Sequence, residues 1–374
     1  LSLVLSGTFG CAGARETAPL GQPSFEAYRL QTRQWMADRR DFQTDNQELE
    51  LNWNGPREWR PETNTGKGIL LVHGLGDSPW SFWDIGAVLA RNGYLVRTVL
   101  LPGCGTRPED MLKVDVAEWR QVVAEQAALL GAEVDELYLG GFSTGANLVI
   151  EQALINSEVR GLVLFSPALW TDEPLDFLSP VAALFTDWIL KPSPDRPRQS
   201  PVRYNFVPTN AFSQFYRTSV TARTMLRELP FDRPAMVVLS EHDSVLDVRR
   251  ILRSFDRLFT HPGSRLVWYG DAAAADGLSD RTLVRTDFVP DFRIHSFSHM
   301  GALFSPDNPL YGSHGSLRIC NGQDRAGYAR CLAGEDVWFS AWGDAKEGAV
   351  MARQTFNPYF DWQAGIILQV LGAR

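Results

Sequence analysis

The 374-residue chain lacks several features that would direct its reading elsewhere. It has four cysteines and six histidines, and no two cysteines form a CxxC pair. A structural zinc site needs a tight cluster of thiolate and imidazole ligands, so no metal is expected. Lysine and arginine number 36 against 44 acidic residues, a formal net charge of −8, and no basic tract stands out. Phosphate backbones need clustered cations, so nucleic acid is not an expected partner. There is no internal repeat and no low-complexity tract. What remains is an ordinary globular composition, 44% hydrophobic and 21% charged. Its length suits one large α/β domain with insertions, or two modest domains.

The first residues, LSLVLSGTFGCAG, are apolar and small but too few to span a bilayer. They read as the tail of a secretory signal. The small residues before Cys11 resemble a bacterial lipobox, with Thr8 where an aliphatic residue is usual. Cys11 is therefore the lipidation candidate, and a simple cleaved signal is the alternative. The polar stretch after it suits a flexible tether. The expectation is an exported protein, periplasmic or anchored to a bacterial envelope membrane through Cys11. Cys320 and Cys331 bracket NGQDRAGYAR and could close a short disulfide loop in an oxidising compartment.

Along the chain, SFEAYRLQTRQWMADRR has helical periodicity with Ser24 as its cap, and ELELNWN alternates as a strand should. Then apolar runs alternate with helical patterns: KGILLVHG, YLVRTVLLPG, ELYLGG, GLVLFSPAL, PAMVVLS and RLVWYG as strands. Among the helices, DVAEWRQVVAEQAALLG opens with Asp115 and Glu118 three residues on, a capping box. This rhythm predicts a mostly parallel sheet with helices on both faces. Two stretches break it. Residues 171–230 contain no strong strand-helix unit, are proline-rich, and carry dense aromatics between Trp170 and Tyr216; they read as an inserted cap. A second irregular stretch runs over 305–355, before a final helix in PYFDWQAGIILQVLG. The expected organisation is a signal remnant (1–11), a tether and helix (12–45), a first core half (46–170), the cap (171–230), and a second core half (231–374) holding the 305–355 insertion.

The chemistry gathers around GGFSTGAN. Ser143 sits where an apolar strand ends and a helix begins, with Gly141 and Gly145 flanking it. That is the arrangement of a nucleophile held on a sharp turn at a helix N-terminus. A neutral hydroxyl attacks poorly without a base, so an acid and a histidine should follow in that order. In EHDSVLD, Asp243 lies just off the strand PAMVVLS, and Asp247 suits the cap of the following helix. In RIHSFSHMGALF, His299 is the expected base, with His295 a neighbour on a preceding strand. An oxyanion hole needs two amides: Thr144 after the nucleophile, and Leu75 from the HGLG turn after the first main strand. None of this chemistry calls for a cofactor.

LLVHGLGDSPWSFWDIGAVLARNGYLVRTVLLPGCGTRPEDML…EW followed by GGFSTGA resembles the α/β-hydrolase family, nearest to bacterial carboxylesterases and monoacylglycerol lipases. The resemblance is strong over about residues 67–170 and holds in outline over 231–300. It implies a Ser-His-Asp triad on Ser143, His299 and Asp243, an acyl-serine intermediate, and a mobile cap. Three departures stand out. Gly103-Cys104-Gly105 replaces the usual Gly-His-Gly, which makes Cys104 a packing residue. The stretch from Gly270 to His299 is long, with TLVRTDF as an added strand. The 305–355 insertion has no counterpart. The expected activity is hydrolysis of a small-molecule ester with an apolar acyl group. Thioester or amide cleavage on the same triad, or a non-catalytic envelope lipoprotein, are the alternatives. The sequence leaves the oligomeric state open.

Overall fold

In a computed structural model, the chain is described over residues 18–172, 176–189, 197–275, 277 and 279–372. Cys11 and the residues before 18 lie outside the described residues. Helix α1 (Phe25–Arg39) begins with the Ser24 hydroxyl accepting from the Ala27 amide, and is followed by α2 (Gln47–Asn54). The core then alternates: β1 (Glu58–Trp59), β2 (Lys67–Val72), α3 (Trp83–Arg91), β3 (Tyr94–Val99), α4 (Val116–Gly131), β4 (Glu136–Phe142), α5 (Thr144–Ile155) and β5 (Val159–Phe165). After β5 come the short α6 (Ser179–Ala182), the hairpin β6 (Gln199–Ser200) and β7 (Arg203–Tyr204), and the long α7 (Thr209–Glu228). The sheet resumes with β8 (Ala235–Ser240), α8 (Val248–Leu258), β9 (Arg265–Tyr269) and β10 (Thr282–Arg285). Then follow α9 (Arg325–Leu332), β11 (Trp338–Ser340), β12 (Met351–Arg353) and α10 (Phe360–Val370).

Eight strands form one sheet in the order β1-β3-β2-β4-β5-β8-β9-β10, parallel except where β1 pairs antiparallel with β3. The central strands read as unbroken apolar runs because both of their faces are buried. Leu70 and Val72 of β2 enter one core with α1, α4, α5 and α8. Ile69 and Leu71 enter the other with α3 and α10. In β8, Ala235, Val237 and Leu239 divide from Met236 and Val238 in the same way. Asp115 and Glu118 close the expected capping box on α4. Among the described residues, no helix is long and apolar enough to cross a membrane.

Three local expectations need correction. ELELNWN is the helix α2, not a strand. The Asn46 side chain accepts from the Leu49 amide, and the buried positions are Glu50, Leu51 and Asn54, a helical spacing. Glu50 is buried because it pairs with Arg40 at 2.8 Å, which the alternation of Glu and Leu does not reveal. Residues 171–230, expected to lack a strong strand-helix unit, hold the 20-residue helix α7. Its inner face is Ala211, Phe215, Thr218, Ser219, Ala222 and Leu226, and the Asn147 amide donates to the Thr218 and Ser219 hydroxyls. Small and hydroxylated residues on that face mute its hydrophobic signal. Finally, His295 follows an isolated bridge at Ile294 rather than a regular strand.

Candidate active site

β4 ends under the sheet's carboxyl edge and the chain reverses into α5 at Ser143, with φ 53° and ψ −114°. Few non-glycine residues tolerate this conformation, so it stores strain. The neighbours leave no room for larger side chains. A Cβ on Gly145 would lie 1.9 Å from the Val72 carbonyl, and one on Gly141 would lie 2.5 Å from the Ala146 amide. The turn pushes the Ser143 hydroxyl out at the start of α5, where the first amides of a helix lack internal partners.

The three residues expected from chain order meet here. His299 Nε2 is 3.0 Å from Ser143 Oγ, and His299 Nδ1 is 2.6 Å from Asp243 Oδ2. The other Asp243 oxygen accepts the amides of Val245 at 2.8 Å and Leu246 at 3.2 Å. The carboxylate is thus buried yet fully bonded. The Phe142 ring packs 5.0 Å from the imidazole of His299. Asp247 caps α8 through the Arg250 amide, the alternative role foreseen for it.

Across from them lies the turn after β2. Among the described residues, neither the Leu75 amide nor the Thr144 amide has a hydrogen-bond partner. The buried His73 explains how the turn is held. Its Nε2 accepts the Leu101 amide at 3.0 Å, so Nδ1 carries the proton and donates to the Gly74 carbonyl at 2.8 Å. Burial holds this imidazole below its ordinary pKa, which keeps that neutral tautomer. The Gly74 carbonyl and Leu75 amide share one trans peptide and point in opposite directions. Anchoring the first therefore aims the second. Cys104 is buried nearby, and burial pushes its thiol up to about 12, so it is no competing nucleophile.

Other contacts at the site were not legible in the sequence. Ser166, at the end of β5 with φ 44°, donates to the His299 carbonyl at 3.0 Å. Its place at the carboxyl end of a central strand was the available signal. His242 Nδ1 lies 2.6 Å from Asp287 Oδ2, joining the loop after β8 to the loop after β10. That hydrogen bond raises the His242 pKa against the opposing effect of burial. The cap is stitched to the acid loop, where Thr171 bridges Leu246 and the Asp172 amide donates to Val245. Cys320 and Cys331 are joined by a disulfide with Cα atoms 5.7 Å apart.

The first part of the chain is similar to known proteins. Residues 63–213 match the serine aminopeptidase S33 family of hydrolases. The chain folds as an α/β-hydrolase. A stretch of 102 residues, 27% of the chain, is 30% identical to the thermostable monoacylglycerol lipase of Bacillus sp. strain H-257. That match spans 41% of the lipase's own length. Among solved structures, one described with the metagenome-derived lipolytic enzymes LipS and LipT is similar at 21% identity and a TM-score of 0.48, over 58% of this chain and 87% of that one. The monoacylglycerol lipase of Paleococcus ferrophilus is similar at 18% identity and a TM-score of 0.46, over 57% and 87%. In this fold Ser143, Asp243 and His299 all lie at the carboxyl edge of the sheet.

Proposed function

We propose that this α/β-hydrolase cleaves carboxylic esters with an apolar acyl group through an acyl-serine intermediate. The observation that carries the reading is the continuous relay from Asp243 through His299 to Ser143, with spacings of 2.6 and 3.0 Å. His299 Nε2 takes the proton of Ser143 Oγ as that oxygen attacks the ester carbonyl. The Leu75 and Thr144 amides receive the negative charge that builds on the carbonyl oxygen. His299 then gives its proton to the leaving alcohol, and the acyl group stays on Ser143. Water, activated by the same imidazole, adds to the acyl-enzyme and releases the acid. Asp243 holds the ring's tautomer and balances its charge while it is protonated.

The apolar acyl preference draws on the segment after β5, where Phe177, Leu178, Val181 and Ile189 are exposed and Leu184 and Phe185 reach 79% and 83% exposure. The similarity to a monoacylglycerol lipase points the same way. A series of p-nitrophenyl esters and monoacylglycerols of increasing chain length tests it, with an aminoacyl p-nitroanilide as the amide arm and Ser143→Ala as control. Expected is a rate that rises with acyl length and vanishes in the variant. Equal rates at all lengths overturn the apolar preference, and a faster anilide replaces ester with amide cleavage. A folded wild type that resists a fluorophosphonate probe leaves the non-catalytic reading instead.

A further inference from the structure

The loop carrying His299 rests on the 305–355 insertion, and one buried residue at the end of that insertion grips both sides of the histidine. The Gln354 side chain is fully buried. Its carbonyl oxygen accepts the Ser298 amide at 2.8 Å, one residue before His299. Its amide nitrogen donates to the Gly301 carbonyl at 3.1 Å, two residues after, and to the Phe356 carbonyl. The main chain of the same residue closes the clamp. The Gln354 carbonyl accepts the Ser298 hydroxyl at 2.6 Å, and the Gln354 amide donates to Ser340 of β11 at 2.9 Å. The fit is tight enough to dictate a neighbour. A Cβ on Gly301 would lie 1.6 Å from Gln354 Oε1, so the glycine after His299 and Met300 makes room for this side-chain amide.

We propose that Gln354 is a positioning residue for His299, and that holding the general base is what the 305–355 insertion does for the reaction. This rests on the reading of Ser143, His299 and Asp243 as the acyl-transfer triad. The physical case is that His299 must reach Ser143 and Asp243 from a loop with no regular strand under it. Ser166 holds the His299 carbonyl itself, and Gln354 holds the main chain before and after it. A side-chain amide offers an acceptor and donors in one plane, so it fixes both at once. A shift of about 1 Å in a reacting group costs roughly 10²-fold in rate.

Gln354→Met keeps the bulk and removes all three side-chain hydrogen bonds. Expected is a roughly 10²-fold lower kcat on the best p-nitrophenyl ester, with KM nearly unchanged. In a His299→Ala background the same substitution should leave the residual rate untouched, because its effect passes through the histidine. Should Gln354→Met fail to fold, the double variant Gly301→Ala with Gln354→Ala fills the space from the other side and should show the same kcat loss. Wild-type kcat in either folded variant, beside an inactive Ser143→Ala, overturns the proposal and spares the triad. So does an equal loss with and without His299. If Ser143→Ala keeps wild-type activity, the triad reading fails first and the role of Gln354 falls with it.

Discussion

Asp243→Asn separates chemistry from stability, because the surroundings of this carboxylate dictate how the amide must sit. Oδ1 accepts two main-chain amides, from Val245 at 2.8 Å and Leu246 at 3.2 Å. In the variant only the amide's carbonyl oxygen can accept those bonds, so the NH2 group is forced to the position of Oδ2. There it faces His299 Nδ1, now 2.6 Å from the carboxylate. A donor at that place requires Nδ1 to become an acceptor, which moves the ring proton to Nε2. Nε2 then donates toward Ser143 Oγ and cannot take its proton. Enforcing the wrong tautomer costs about 10⁴-fold in kcat in a serine triad, equivalent to about 5.5 kcal/mol of transition-state stabilisation. Stability should change less than in an alanine variant, since the Val245 and Leu246 amides keep their acceptor. Asp243→Ala provides the contrast, because it strands the Val245 and Leu246 amides at roughly 1–3 kcal/mol each. The assay is steady-state hydrolysis of a p-nitrophenyl ester beside thermal unfolding of both variants. An Asn variant within tenfold of wild type would refute the tautomer argument, and with it the role given to Asp243.

Four further outcomes are expected. Ser143→Gly should abolish hydrolysis yet raise the unfolding free energy by about 1 kcal/mol, because release of the strained φ outweighs the added freedom of the unfolded glycine. Calorimetry that finds the variant less stable would remove the strain. His73 is held below its ordinary pKa by burial, so it should stay neutral in the folded protein as pH falls below about 6.5 while the unfolded chain takes up a proton. Its contribution to stability is therefore present above that value and lost on acidification. His242 is raised by Asp287, so its contribution is present at low pH and lost as pH rises through the raised value. Histidine-selective ¹⁵N NMR checks both. A His73 that charges before His242 contradicts the assignment. For the anchor, we propose that Cys11 carries lipid, and an unmodified Cys11 in the intact mass of membrane-extracted protein ends that idea.

What the sequence made legible follows the reach of each interaction. Strands buried on both faces, the Asp115 cap and the turn around Ser143 are local or nearly so, and each could be read from a few residues. Asp243 and His299 could be singled out because an α/β sheet presents its loops at successive carboxyl ends, so chain order stood in for distance, and the two residues do meet Ser143. Where a long-range partner decided the outcome, the reading failed. Glu50 is drawn inside by Arg40, turning an alternating pattern into a helix. The inner face of α7 satisfies its hydroxyls against Asn147 rather than by apolar packing.

The departure of 29 positions between Gly270 and His299 now has a physical content. The first part adds β10 to the edge of the sheet beside β9. Asp287 then ties back to His242, next to Asp243. Beyond it the chain does not form a strand of its own. The His295 amide donates to Phe339 of β11, and the Phe339 amide donates to Arg293. The segment leading to His299 is therefore bonded to residues that come after it in the sequence, in an insertion closed by the Cys320–Cys331 disulfide. Gln323 carries that bonding onward, because its side chain bonds the Cys320 carbonyl and both the amide and carbonyl of Met351 in β12. Three residues later stands Gln354, on the loop of His299. An order of Ser, Asp and His singles out His299, but much of what its loop bonds to lies past the end of that pattern, where no motif points.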